Sequence, residues 1–310
     1  MPSSFSKTCF GPITGRRTLP RRWRNTRGGS GASVQDRPEP SPARWTDLRS
    51  RVISAAVLAP LAIAAIWEGG LLWAAVILGT AAGLAGEWVR MCGASLGSAA
   101  GLAIPVAILL AGGLVVPGHP VAALALLAAG FAVAAWAGGR HHLRLSLAAG
   151  VPYIGFACIA MLSLRADPAA GRVNVLLMML VVWASDVGAY AAGRLIGGPP
   201  LAPRISPKKT WAGAVGGLVA AVLIAEAAAG LVGGASFSGR IALIAALLGI
   251  AAQAGDLFES FMKRRFGVKD SSRIIPGHGG LLDRLDGVLA AAPVTALLAL
   301  LAGRGVVLWQ

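Results

Sequence analysis

Charge is what this chain has least of. Asp, Glu, Lys and Arg make up 13% of its 310 residues, against roughly 25% in soluble domains. With 56% apolar residues and a mean hydropathy of +0.70, that scarcity excludes an ordinary water-soluble domain. Cysteine is nearly absent. Cys9, Cys92 and Cys158 are scattered and odd in number, so they give neither a disulfide framework nor a zinc spacing. No apolar h-region closely follows the basic start, so there is no secretory signal in form. The nucleotide-binding P-loop is also missing, because that pattern needs Gly directly before Lys and here Pro207 precedes Lys208. His119, His141 and His142 fall in loops and are read as solvated side chains rather than metal ligands. No nucleic-acid partner is expected.

What is present is a series of apolar runs, each near the roughly 20 residues a membrane helix needs. About nine are read, at 52–67, 70–89, 98–116, 121–138, 146–164, 173–193, 212–233, 241–262 and 286–302. The expected fold is all-α, a polytopic integral membrane protein with no soluble domain left over. With the N-terminus inside, thirteen Lys/Arg fall in the inner loops and only Arg165, Arg172, Arg240 and Arg304 in the outer segments. The positive-inside rule then predicts a cytoplasmic N-terminus and cytoplasmic motif loops. Small residues such as Gly79, Gly83 and Gly86, or Gly213, Gly216 and Gly217, are read as sites of close helix packing. Glu68 and Glu87 are expected near helix ends, within reach of the interface. Glu226 falls within the seventh span and is read as lining a cavity or facing a partner helix.

Residues 1–48 read as a disordered basic tail, 49–305 as the membrane domain and 306–310 as a short C-terminal tail. Residues 1–50 hold ten Lys/Arg against Asp36, Glu39 and Asp47. Attraction to anionic lipid, an organellar presequence and a start site further downstream are alternative readings of the tail.

Against this apolar background, residues 256–287 stand out. Six of the 28 basic and five of the 13 acidic residues lie in these 32 positions. Charge beside a bilayer marks a functional site by default, and mixed carboxylates and cations suit a divalent metal holding a polyphosphate. Asp256, Ser260 and Lys263 are spaced i, i+4 and i+7, one face of a helix. Asp283 and Asp286 share a face at the entrance to the last span. The glycines of Pro276-Gly277-His278-Gly279-Gly280 let backbone approach a ligand closely. Arg264, Arg265 and Arg273 are individually ordinary at a membrane edge. A second polar segment holds Asp186, inside the sixth span, followed by Ser206, Pro207, Lys208, Lys209 and Thr210. Asp186 is either a buried structural group or a metal or substrate contact. Hydroxyls, N–H groups and lysines at a helix start suit an anion.

Ser260, Lys263, Arg264, Lys269, Asp270, Ser272, Pro276, His278, Gly279, Gly280, Asp283, Arg284 and Asp286 fill the fixed positions of a signature that resembles the phosphatidate cytidylyltransferase (CDP-diacylglycerol synthase) family. Upstream, Asp186-x-Gly188-Ala189-Tyr190, Ser206-Pro207-x-Lys209-Thr210-Trp211 and Gly255-Asp256-Leu257-x-Glu259-Ser260 resemble further blocks of that family. The resemblance covers about 50–305, specific at the motifs and general in character over 70–145. It implies a homodimeric enzyme of the bacterial inner membrane that uses CTP and phosphatidate beside membrane lipid. It also implies Mg²⁺ at Asp256 and Asp283, and leaves open a second, monovalent cation. Asp186 or Asp286 would assist the metal, and Ser260, Lys263, His278 and Asp286 would serve catalysis. Ser206, Lys209, Thr210, Arg264, Lys269 and Arg284 would bind substrate. An ion-coupled transporter using Asp186, Glu226 and Asp256 is the alternative reading, although the second half shows no obvious repeat of the first. A CDP-alcohol phosphotransferase is disfavoured, because no Arg follows Asp286-Gly287 at the required spacing.

Overall fold

The computed structural model describes residues 60–138, 144–233, 237–272 and 279–309. Helix α1 covers residues 60–68, and is followed by α2 (Gly70–Met91), α3 (Ala99–Val115), α4 (Pro120–Ala137), α5 (Arg144–Ala148), α6 (Gly150–Ala166) and α7 (Gly171–Leu195). Two short strands, β1 (Pro200–Ala202) and β2 (Ser206–Thr210), precede α8 (Trp211–Gly233), α9 (Gly239–Arg265) and α10 (Leu282–Ala302).

Among the described residues, seven helical segments are long and apolar enough to cross a membrane, and α3, at 17 residues, is a shorter apolar helix. The expected span at 52–67 lies partly outside the described residues. The fold is mostly helical, with one correction to an all-α reading. Residues 200–210, between the spans, form an antiparallel hairpin pairing Pro200 with Thr210 and Ala202 with Ser206, with a register shift between them. Pro207 is tolerated there because a two-stranded ribbon is all edge. The hairpin ends where Thr210 Oγ1 accepts the Gly213 N–H at 3.1 Å and starts α8.

Helix α6 is the hub and packs on α2, α3, α4, α7 and α10. In lipid, where burying apolar surface from water drives little helix association, close approach of small residues gives the packing energy. The α7/α8 contact follows that rule. A Cβ on Gly217 would lie 2.7 Å from the Ser185 carbonyl oxygen, and one on Gly213 would lie 2.9 Å from that of Ala189. Glu226 accepts the Ser238 N–H at 3.1 Å and thereby ties α8 to the start of α9. Cys92 and Cys158 are free and buried. Burial pushes the Cys92 thiol, just past the end of α2, up to about 12, which fits an inert packing residue.

Contacts sort the loops into two ends. At one end, Trp88 of α2 donates to the Leu147 carbonyl (2.9 Å), Arg265 of α9 to Ser146 Oγ (2.9 Å), and Arg264 to the Ile205 carbonyl of the hairpin (3.3 Å). At the other end, Arg165 donates to the Ile66 and Trp67 carbonyls (2.5 and 2.9 Å), and Arg172 lies over the Trp67 ring (4.3 Å). Asn174 holds the Val306 carbonyl and the Leu308 N–H there, with Leu308 and Trp309 buried. The N–H groups of Ala170, Gly305 and Ala169 hold the Asp167 carboxyl below its ordinary value.

Candidate active site

A cavity of about 740 Å³ opens at the first of these ends. It takes Asp186, Tyr190 and Arg194 from α7, and Ser206, Lys208, Lys209 and Thr210 from β2. Gln253, Asp256 and Leu257 come from α9, and Asp283 and Asp286 from the first turns of α10. The two polar segments of the sequence are therefore walls of one chamber.

Its carboxylates come together because α9 and α10 touch at glycine. A Cβ on Gly255 would overlap the Asp286 carbonyl and lie 2.7 Å from the Ala290 Cβ, and one on Gly287 would meet the Ala252 Cβ at 3.4 Å. At that crossing, one oxygen each of Asp256, Glu259 and Asp286 lie within 4.8 Å of one another. Glu259 is 1% exposed, and its Oε1 has no hydrogen-bond partner among the described residues. Three hard oxygen donors, one of them on a fully buried side chain, fit a divalent cation of the Mg²⁺ or Ca²⁺ type. Gly255→Val is expected to wedge the helices apart, costing about 1–3 kcal/mol by overpacking. Activity should fall with it by roughly 10²-fold, since misplacing reacting groups by about 1 Å does as much. Activity per monodisperse protein and the thermal midpoint in detergent check this.

Two lysines balance the acids. Lys209 Nζ lies 2.5 Å from Asp256 Oδ2, which joins β2 to α9. Lys263 Nζ lies 2.7 Å from both Glu259 Oε2 and Asp283 Oδ1. The other Asp283 oxygen, Oδ2, accepts the N–H groups of Ser271 and Gly280 and the Ser271 hydroxyl, each at 3.1 Å. Gly279, at φ +85°, lies in the left-handed region that favours glycine. Gly280 has no room for a side chain, because a Cβ there would overlap Ser271 Oγ.

Behind this lies a residue that sequence reasoning placed wrongly. Glu87 does not reach the interface: it is 0% exposed. Its Oε1 accepts from the Leu281 N–H (2.8 Å) and the Ser272 hydroxyl (2.5 Å). Its Oε2 accepts from the Leu282 N–H (2.8 Å) and the Ser271 hydroxyl (3.1 Å). Helix α2 runs one further turn past Glu87 to Met91, so the carboxylate lies inside the bundle. Gln253 was also missed. Its amide donates to Ser185 Oγ (3.4 Å) and the Ala214 carbonyl (3.0 Å), joining α9 to α7 and α8 within the cavity wall.

Of the residues singled out from the sequence, Asp186, Ser206, Lys209, Thr210, Asp256, Asp283 and Asp286 line the cavity. Lys263 is tied to it through Asp283. Ser260 is half-buried on α9, Arg264 is exposed at the end of that helix, and Lys269 and Arg284 are exposed beyond it. His278 lies outside the described residues.

The chain matches the Cytidylyltransferase family over residues 49–302. It is 38% identical to a phosphatidate cytidylyltransferase of Brucella suis over 260 residues, covering 81% of this chain and 93% of the relative. It is 37% identical to one of Pseudomonas aeruginosa over 275 residues, covering 83% and 99% respectively. A Haemophilus influenzae phosphatidate cytidylyltransferase is 46% identical over 132 residues, covering 41% of this chain and 46% of the relative. The match spans every helix from α1 to α10 and both walls of the cavity, and the chain belongs to the cytidylyltransferase family.

Proposed function

We propose that this protein transfers the cytidylyl group of CTP to phosphatidate. A phosphate oxygen of phosphatidate attacks the α-phosphorus, the bond to the β-phosphate oxygen breaks, and CDP-diacylglycerol and pyrophosphate are formed. The observation that carries this is the cavity at one end of a membrane bundle, where clustered carboxylates face a lysine-bearing hairpin. The phosphatidate phosphate is already an anion near neutral pH, so the reaction needs charge neutralisation and alignment more than a strong base.

Asp256, Glu259 and Asp286 would hold the metal, which we take to be Mg²⁺, with Asp186 and Asp283 beside them. Bound there, Mg²⁺ supplies Lewis acidity to the α-phosphate and charge balance for the departing pyrophosphate. Lys209 and Lys208, with Ser206 and Thr210, would receive the phosphates of CTP. Lys263 keeps Glu259 and Asp283 in place. Ser260, His278, Arg264, Lys269 and Arg284 keep the catalytic and substrate-binding roles that the family signature implies.

The charge pattern of the loops supports a cytoplasmic site, where CTP is supplied, in a bacterial inner membrane. A site at the bundle end would let phosphatidate enter sideways with its acyl chains still in lipid. A homodimer, a monovalent second cation and a first span over 52–67 complete the proposal. Transport is not favoured: Asp186 and Asp256 share one cavity with the hairpin lysines, and Glu226 is engaged in tying α8 to α9.

The test is label transfer from CTP to lipid by detergent-purified protein given phosphatidate and Mg²⁺, with an EDTA control. Lipid-linked label that EDTA abolishes is the expected result. Folded protein that binds CTP and forms no lipid product would indicate a different phosphate acceptor. Protein that neither binds nor reacts would overturn the enzyme reading.

A further inference from the structure

Glu87 belongs to no signature block, does not line the cavity, and contributes the one carboxylate of α2. Yet each of its oxygens takes one backbone N–H and one hydroxyl. The two N–H groups belong to the start of α10, whose dipole favours an anion there. The two hydroxyls come from Ser271 and Ser272. Glu87 therefore fixes the spacing between residues 271–272 and 281–282, the two sides of the signature segment.

The Ser271 hydroxyl lies 3.1 Å from Glu87 Oε2 and 3.1 Å from Asp283 Oδ2. Its single proton is shared between the two oxygens, a three-centre bridge between a carboxylate outside the cavity and one inside it. With Oδ2 held there and by the Ser271 and Gly280 N–H groups, Asp283 presents Oδ1 to Lys263. Lys263 in turn holds Glu259, a member of the acidic cluster.

We propose that Glu87 is a positioning residue for cytidylyl transfer: from α2 it orients Asp283, and through it Lys263 and Glu259, by way of the Ser271 hydroxyl and the start of α10. The inference rests on the reaction proposed above. A carboxylate is required because four donors converge on it. Gln in its place would aim an NH₂ group at two of those donors. Asp keeps two acceptor oxygens on a shorter stem.

The experiment compares wild type, Glu87→Gln, Glu87→Asp, Ser271→Ala and the Glu87→Gln/Ser271→Ala double variant, as full-length protein in detergent. Initial rates are taken against CTP and against phosphatidate and expressed per monodisperse protein. In Glu87→Gln, kcat should fall about 10- to 100-fold, the usual range for residues that orient a metal site from behind. Both KM values should stay within about threefold, because Glu87 touches neither substrate. Glu87→Asp should recover most of that loss. Ser271→Ala should lose about tenfold alone and little more in the Glu87→Gln background, since residues acting through one bridge are non-additive.

Unchanged kcat in Glu87→Gln, or losses that multiply in the double variant, would overturn the proposal. If Glu87→Gln yields no folded protein, Ser271→Ala decides, since it keeps both N–H bonds to Glu87. Its kcat must fall with KM preserved, and an unchanged kcat overturns the proposal. Wild type that forms no labelled lipid counts against the reaction and takes this inference with it. Active wild type with unaffected variants counts against Glu87 alone.

Discussion

Asp256→Asn is expected to lower cytidylyl transfer by about 10²- to 10³-fold, the scale of losing one preorganised charge-stabilising group. Asp256 stands at the junction of the site's two halves. It contributes an oxygen to the cluster with Glu259 and Asp286 and pairs with Lys209 of the hairpin. Asparagine keeps the shape, halves the oxygen donors and removes the charge, so metal affinity and hairpin placement should suffer together. The side chain is 36% exposed, so the variant should remain folded. Label transfer per monodisperse protein, measured across a Mg²⁺ titration, checks the expectation. Glu68→Gln, exposed at the other end of the bundle, is the control. A variant with near wild-type kcat at ordinary Mg²⁺ would remove Asp256 from the metal set.

Lys263→Met should have the largest effect on stability. The Lys263 side chain is 13% exposed and holds Glu259, whose side chain is 1% exposed, and Asp283, each at 2.7 Å. Removing the ammonium leaves one buried and one half-buried carboxylate without their cation, and breaking a buried pair in this way costs about 3–5 kcal/mol. A lower thermal midpoint in detergent and a poor yield are expected, with activity lost as well. Lys263→Met combined with Glu259→Gln should regain part of the midpoint, because one uncompensated charge is gone, while remaining inactive. Lys263→Arg keeps the charge but replaces a point donor by a planar fork, and should fall between. An unchanged midpoint in Lys263→Met would contradict the burial argument.

The acidic and basic residues of the site were legible in the sequence because polar groups in an apolar chain have few innocent explanations. Asp186, Lys209, Asp256, Asp283 and Asp286 were read from that contrast, and they line one cavity. The helices were legible from length and hydropathy. The end turns were less so, because α9 carries three basic residues into its last turn and runs on to Arg265. The hairpin at 200–210 was missed because its strands are short and each contains a proline, Pro200 and Pro207. Glu259 was quoted within a motif without a role, since only the crossing at Gly255 shows that it joins Asp256 and Asp286. Glu87 was placed at the interface because a lone carboxylate near the end of an isolated apolar helix belongs there. Its partners are 184 to 195 positions away, and no local pattern signals pairing at that range.

That separation also bears on biogenesis. Helices enter a bilayer largely in the order of their synthesis, so α2 is inserted while residues 271–282 do not yet exist. During that interval Glu87, one turn from the end of its helix, has its best solvent at the headgroup boundary. An apolar stem with a charged tip can reach that boundary. Only when α10 arrives can the carboxylate exchange water for the two N–H groups and two hydroxyls that receive it. The completion of the bundle and the completion of the candidate site are therefore one event, and a nascent chain arrested before α10 carries all of α2 but neither Asp283 nor Asp286 of the cavity wall.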